Sequence, residues 1–388
     1  MEPPKRPSVT PHNLDMFTEP VVHVYQALEE EIFTQIAKRL RTSKELGRAD
    51  VLQWQAEKMQ QLRLVNDVTI KSLSKATGVA EKEIRKAIQE AVVGTIESTD
   101  KEIQGIYNDN RMNPPIIPQT PTASFLDEIM ASYVNQTFRE LDNFVNQTLI
   151  TTNFGEGTVT NMYRRIVEET TGKVLGGAKT VNKAVSETVI KWADKGIETS
   201  FIDRGGHTWY LENYANTVIR STVNRAYNEQ RTSRMQDYGV DLVLVSALPD
   251  PREICSHIQG KVASLSNPSS HPDYPSVYEF GYGSPGGLRG INCRHLFYPF
   301  IEGLNTNNQP QYSQEDMTEN RELRQKQRYY ERQIKKAKRS LRLAEIMGDE
   351  DTINKQKRLV RARQAKIRQF IAENNLTRRY ENERVIVS

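Results

Sequence analysis

The chain has 388 residues, 37% of them hydrophobic and 26% charged, with a formal net charge of +4. That length allows two or three domains, each with its own core, and the polar lean fits a helical protein with long solvated faces. No apolar run approaches the ~18–20 residues that cross a bilayer, residues 1–20 lack the apolar centre of a secretory signal, and two cysteines exclude a disulfide-stapled scaffold. These features place the chain in a cytoplasm or in an assembly built there.

Residues 1–20, with charges and prolines, read as a flexible arm. Val21, Val24, Tyr25, Leu28, Ile32, Phe33, Ile36 and Leu40 then recur at spacings of one, three and four. That spacing puts them on one face of a helix and opens an N-terminal helical domain over 21–112. A second helix is expected from about Ala49 through Leu64. From Ile70 to Ile88 the pattern suggests a short helix, a turn at Gly78 and another helix. As a DNA-reading helix-turn-helix it would set Lys82, Arg85 and Lys86 against phosphate. No base-reading set of Asn, Gln and Arg shares an exposed face there, so an ordinary helical hairpin is the stronger reading.

Residues 113–122 hold four prolines in ten positions and mark a linker or extended strap. A helical region over 123–239 follows. Phe125, Ile129, Tyr133, Phe138, Leu141 and Val145 keep helical spacing, and 158–170 and 181–197 form two further helices. Asp203-Arg204-Gly205-Gly206-His207 reads as the turn and cap of a long helix from Thr208 to Asp237.

At Val240 the character changes. Residues 241–247 are short, β-branched and almost continuously apolar, which predicts a buried strand. The stretch to Gly290 is rich in Pro, Gly, Ser, Asn and Tyr, with short strands expected near 261–263 and 296–300. Gly281-Tyr282-Gly283-Ser284-Pro285-Gly286-Gly287 lacks the Lys-Ser/Thr of a P-loop and reads as a loop that needs positive φ angles. Residues 240–305 therefore form a loop-rich α+β module.

From Gln314 the chain is helical again. Tyr330, Ile334, Ala337, Leu341 and Ala344 follow a four-three alternation, and Ile353, Val360 and Ile367 recur at sevens beyond the break at Gly348. Two such helices joined by a tight turn fold back as an antiparallel hairpin over 312–380. Between 321 and 379 stand 19 Lys/Arg and 7 Asp/Glu, a net of +12, which leaves −8 for the rest of the chain. Arg332, Lys335, Lys336, Lys338, Arg339, Lys357, Arg358, Arg361 and Arg363 are candidate DNA-contact residues on the outer faces. The fold class is mainly helical α+β: an N-terminal helical domain, a small loop-rich module and a C-terminal basic helical hairpin.

Cys255-Ser256-His257 and Cys293-Arg294-His295 are two Cys-x-His units. Zinc takes four such ligands in a tetrahedron, and a loop-rich module is where a structural ion helps folding. The spacing is tighter than usual ligand pairs, although positions i and i+2 share a face on a strand. The competing reading makes the cysteines small buried hydrophobes and the histidines hydrogen-bonded core groups, with no cofactor. A thiol- or metal-dependent hydrolase or nuclease built on the same four residues is the enzymatic alternative. No glycine-lined oxyanion site or third orienting group is evident for it.

The run Ala247-Leu248-Pro249-Asp250-Pro251-Arg252, continuing into Gln259-Gly260-Lys261-Val262, resembles the phage minor capsid protein 2 family. The resemblance continues through Tyr274-Pro275-Ser276-Val277-Tyr278 and Gly281-Tyr282-Gly283. It closes on Leu288-Arg289-Gly290-Ile291-Asn292-Cys293-Arg294-His295 and Tyr298-Pro299-Phe300-Ile301-Glu302-Gly303. Arg220-Ser221-Thr222 and Asn224-Arg225-Ala226-Tyr227 are similar to a helix of the broader Mu F-like head morphogenesis proteins. Cys293 and His295 belong to the family pattern, and Cys255 departs from it. The resemblance implies a structural protein without enzymatic activity, present in few copies in the virion. It also implies recruitment to the procapsid through the portal protein and retention inside the head, near the portal and the DNA, after assembly in the host cytoplasm. Its implied partners are the portal, the major capsid or scaffolding protein, and phage DNA bound without sequence preference, with no membrane contact during assembly. Some relatives are ejected with the genome.

Overall fold

The computed structural model describes residues 11–42, 46–116, 131–137, 141, 158–177, 179–202, 206 and 208–387. Its elements run α1 (Pro11–Leu40), α2 (Val51–Gln60), α3 (Leu62–Asp109), α4 (Thr158–Leu175), α5 (Val181–Lys195), β1 (Glu198–Ile202), β2 (Thr208–Tyr210), α6 (Leu211–Asp237), β3 (Leu242–Val245), α7 (Glu253–Ser256), β4 (Val262–Ser264), β5 (Phe297–Pro299), α8 (Gln314–Met347) and α9 (Glu350–Glu373). The described chain is mainly helical with a small antiparallel sheet, the expected α+β class.

Compact packing divides the chain into two units, each drawn from three stretches. The first contains Met1–Val21, Glu81–Arg139 and Asn216–Arg324; the second contains Val22–Ala80, Glu140–Ala215 and Gln325–Ser388. The units are therefore interleaved in sequence, whereas the expected domains follow one another.

In the first unit, β3 is the central strand of the order β4-β3-β5, antiparallel to both neighbours. Leu244 stands opposite Val262 on one side and Tyr298 on the other. All four residues of β3 are buried, as its unbroken apolar run requires. Around the sheet, Met235, Tyr238, Val243, Val245, Cys255, Ile258, Leu288, Cys293 and Phe297 form one apolar cluster. The loop-rich module thus has a core of its own.

In the second unit, α4 packs against α5 and α2. Tyr163 and Ile166 of α4, Val185 and Val189 of α5 and Trp54 of α2 are buried. The α8–α9 turn contains Gly348 at φ +72°. Asp349 caps α9 by accepting from the Thr352 amide at 3.1 Å. Tyr330 meets Phe370 edge-on at 5.2 Å between ring centroids, and Arg363 donates to the Gln333 carbonyl. This register is that of an antiparallel hairpin.

Three expectations are corrected. Pro11–Leu40 is one helix, with Leu14 and Thr18 buried, so positions 11–20 are not a flexible arm; positions 1–10 lie outside the described residues. Gly78 lies inside the continuous α3, so there is no turn and no helix-turn-helix. Interior glycine costs a helix only about 1 kcal/mol, which 48 residues of helix tolerate. Thr208–Tyr210 is a strand paired with β1, because Trp209 and Tyr210 suit an extended ribbon as well as a helix. The long helix accordingly starts at Leu211, and 203–205 and 207 lie outside the described residues. Of the 113–122 strap, 113–116 are irregular and the remainder is outside, as is most of 123–149, where 131–137 are helical.

Candidate functional site

Two features of the sequence carry candidate chemistry, and each lies within one unit. The first is the Cys/His constellation. Cys255 sits in α7, a single helical turn, and is buried, whereas His257 just beyond it is exposed. In a helical turn, residues two apart point about 200° from each other. The first Cys-x-His unit is therefore split. Cys293 and His295 lie in the irregular segment that leads into β5, and both are buried. The ligand atoms of Cys255, Cys293 and His295 all lie within 4.8 Å of one another. Three of the four expected residues converge, and His257 does not.

Gln259, which the sequence marks only as part of a motif, orients this cluster. Its side-chain oxygen accepts from the Leu248 amide and its nitrogen donates to the Leu248 carbonyl, both at 3.0 Å. The two backbone bonds fix which way the amide faces. Oε1 then lies 3.0 Å from His295 Nε2, so that nitrogen carries the proton and donates. Nδ1 is left with its lone pair directed at Cys293 Sγ, 3.5 Å away. A hydrogen bond from Cys255 holds the Cys293 thiol well below the usual range against the opposing effect of burial. The same bond, followed by burial, pushes the Cys255 thiol up.

The remaining motif residues are structural. Gly260 has φ +68°, and an added Cβ would lie 3.2 Å from the Pro310 carbonyl oxygen and 3.1 Å from Gln311 Nε2. Its carbonyl accepts from the Asn307 and Gln311 side chains. Lys261 is exposed and donates to the His257 carbonyl at 3.0 Å. Gly281 and Gly283 both have positive φ, and Tyr282 between them stacks on Phe297 at 5.9 Å. Asn292 is exposed at φ +58°, and its amide donates to Ser221 Oγ. Arg294 pairs with Asp15 at 3.3 Å, as does Arg220 at 3.5 Å.

Two buried arginines were not singled out from the sequence. Arg231 is completely buried; it pairs with Glu102, donates to the Phe297 carbonyl and lies 5.4 Å from the Tyr298 ring centroid. Arg234 makes a bidentate pair with Asp100 at 2.6 and 2.9 Å. Both follow Asn224-Arg225-Ala226-Tyr227 on α6, where their spacing matches that of any amphipathic helix.

The second feature is the basic hairpin. Arg332, Lys336, Lys357, Arg358 and Arg361 are exposed, and so are Lys355, Lys366 and Arg368, which the sequence reading did not select. Four expected DNA-contact residues are already engaged within the protein. Arg339 is buried against Glu29 and Glu30 and donates to the Ala193 carbonyl. Lys335 pairs with Glu212 at 2.6 Å, Lys338 donates to the Glu383 carbonyl, and Arg363 donates to that of Gln333. Burial raises the Glu29 pKa, with Arg339 opposing it. Of these four cations Arg339 is buried and the other three are half-buried.

The sequence has relatives among known proteins. The chain matches the family model described as Phage minor capsid protein 2 over residues 9–372. It is similar to a structural protein of Lactococcus phage LL-H, with 34% identity over 373 residues, 94% of this chain and 98% of that protein. It is also similar to a structural protein of Lactococcus phage mv4, with 42% identity over 120 residues, 31% of this chain and 98% of that protein. No solved structure matches.

Proposed function

The chain belongs to the phage minor capsid protein 2 family, and from that premise we propose that it is a head protein held inside the capsid beside the portal, where its hairpin touches packaged DNA. Family membership supports the place in the virion. The observation that carries the DNA contact is the exposed basic surface of Arg332, Lys336, Lys357, Arg358 and Arg361. Such a spread of cations suits phosphates of any sequence. No helix among the described residues is long and apolar enough to cross a membrane.

Duplex DNA binding by the full chain, measured across a salt series, tests the reading. Each contacted phosphate contributes about −0.9 to the slope of log affinity against log salt. Replacing Lys357, Arg358 and Arg361 with Gln should flatten that slope by up to about 3. An affinity insensitive to salt, or a marked sequence preference, would sink the DNA contact. The place beside the portal is tested separately, by copy number relative to portal protein in purified virions and by co-purification of the two.

A thiol-dependent hydrolase would need an accessible nucleophile. Cys293 is 5% exposed and His295 2%, so burial weighs against that reading.

A further inference from the structure

We propose that Cys255, Cys293 and His295 hold a zinc ion, or another thiophilic divalent ion, that braces the loop-rich module. The donor set is the first argument. Two sulfurs and an imidazole nitrogen, all buried, lie within 4.8 Å of one another, and among the described residues no carboxylate joins them. Soft sulfur with imidazole selects zinc over magnesium or calcium, which prefer oxygen.

The distances are the second argument. Zinc bonds of about 2.3 Å to sulfur and 2.0–2.1 Å to nitrogen, at tetrahedral angles, separate adjacent S and N donors by about 3.6 Å. Cys293 Sγ and His295 Nδ1 are 3.5 Å apart.

The third argument is independent of the ligands themselves. A ligating histidine must offer one bare nitrogen, and its other N–H is characteristically donated to a fixed acceptor that sets the ring's orientation. Gln259 does this here, with its own amide locked by both backbone groups of Leu248. A histidine with only a packing role needs no such chain of fixed bonds to present a lone pair to sulfur. With three protein ligands, the fourth position of the tetrahedron is left for a water-sized ligand. The ion would join α7 to the irregular segment that leads into β5, two parts of the module far apart in sequence.

The test is metal content of the full chain, expressed with zinc present and purified under reducing conditions without chelator. About one zinc ion per folded chain is expected. Cobalt(II) in its place should give intense tetrahedral ligand-field bands and sulfur-to-cobalt charge-transfer absorption. His257→Ala should retain the metal, whereas Cys255→Ser and Cys293→Ser should lose it. Gln259→Ala should weaken zinc binding roughly 10–100-fold without removing a ligand. If the cysteine variants fail to fold, the unmodified protein decides the question by whether modification of its thiols releases zinc in proportion. A folded chain with both thiols reduced, no metal after dialysis against zinc and no cobalt charge-transfer band would overturn the proposal. Full zinc retention in a Cys255→Ser/Cys293→Ser double variant would overturn it equally.

Discussion

In the module of residues 240–305, the distinctive side chains turn inward. Cys255, Gln259, Cys293 and His295 are all buried and bonded to one another or to nearby backbone. In the α8–α9 hairpin the abundant cations divide: Arg358 and Arg361 face solvent, while Arg339 is buried between Glu29 and Glu30. The module has rare residues and internal chemistry; the hairpin has common residues, some solvated and some structural. A net charge of +12 over a segment is thus a poor measure of the charge available to a partner. Availability depends on which cations already have buried carboxylates.

The largest expected effect separates the two kinds of cation within the hairpin. Arg339→Ala strands Glu29 and Glu30 as buried carboxylates that Arg339 no longer neutralises. Removing one partner of a buried ionic network costs about 3–5 kcal/mol. The urea midpoint should fall accordingly, whereas Lys336→Ala, at an exposed position, should leave it unchanged. In DNA binding the order should reverse, with Lys336→Ala weakening affinity. Equal stability losses in the two variants would show that Arg339 is another solvated cation.

A smaller effect concerns pH in the same network. Burial, opposed by Arg339, raises the Glu29 carboxyl above its ordinary value of 4.5, and Glu212 and Glu30 push it further in that direction. A carboxyl raised in the folded state contributes stability that is complete below 4.5 and is lost as pH rises through the folded value. Glu29→Gln removes this dependence, so its stability should improve relative to the parent as pH rises above that point. Denaturation curves of the two proteins at stepped pH values would check the sign. Parallel stability profiles would mean that Glu29 titrates normally.

How legible each region was follows from the range of its interactions. The β3 strand was visible because four consecutive buried apolar residues are a local signal. The Cys293–His295 pair was visible as a local i, i+2 spacing, and the irregular segment before β5 brings the two side chains together. Cys255 and His257 show the same spacing, but α7 winds there instead of extending, and their sequence alone does not distinguish a turn from a strand. Arg339 was misread because its partner Glu30 lies 309 positions away, and Arg231 was passed over because Glu102 lies 129 away. Long-range ionic pairing leaves no periodicity to detect. Gly78 was misread for a different reason: glycine occurs in turns and, at modest cost, within helices, and only tertiary packing decides between them.

That ambiguity makes glycine a sharp small probe, because the same substitution should act with opposite sign in the module and in α3. Gly260→Ala forces an L side chain into φ +68°, with its Cβ against the Pro310 carbonyl oxygen. The left-handed conformation alone costs about 1–2 kcal/mol, so the melting temperature should fall. Gly78 lies exposed within α3, and a Cβ added there meets nothing within 4 Å. Alanine is better than glycine in a helix interior by roughly 0.5–1 kcal/mol, so Gly78→Ala should raise the melting temperature slightly. If positions 70–88 instead formed two helices joined at a left-handed Gly78, the same change would destabilise the protein. A fall in melting temperature for Gly78→Ala would therefore restore the hairpin reading of this segment, and a rise would confirm one unbroken helix.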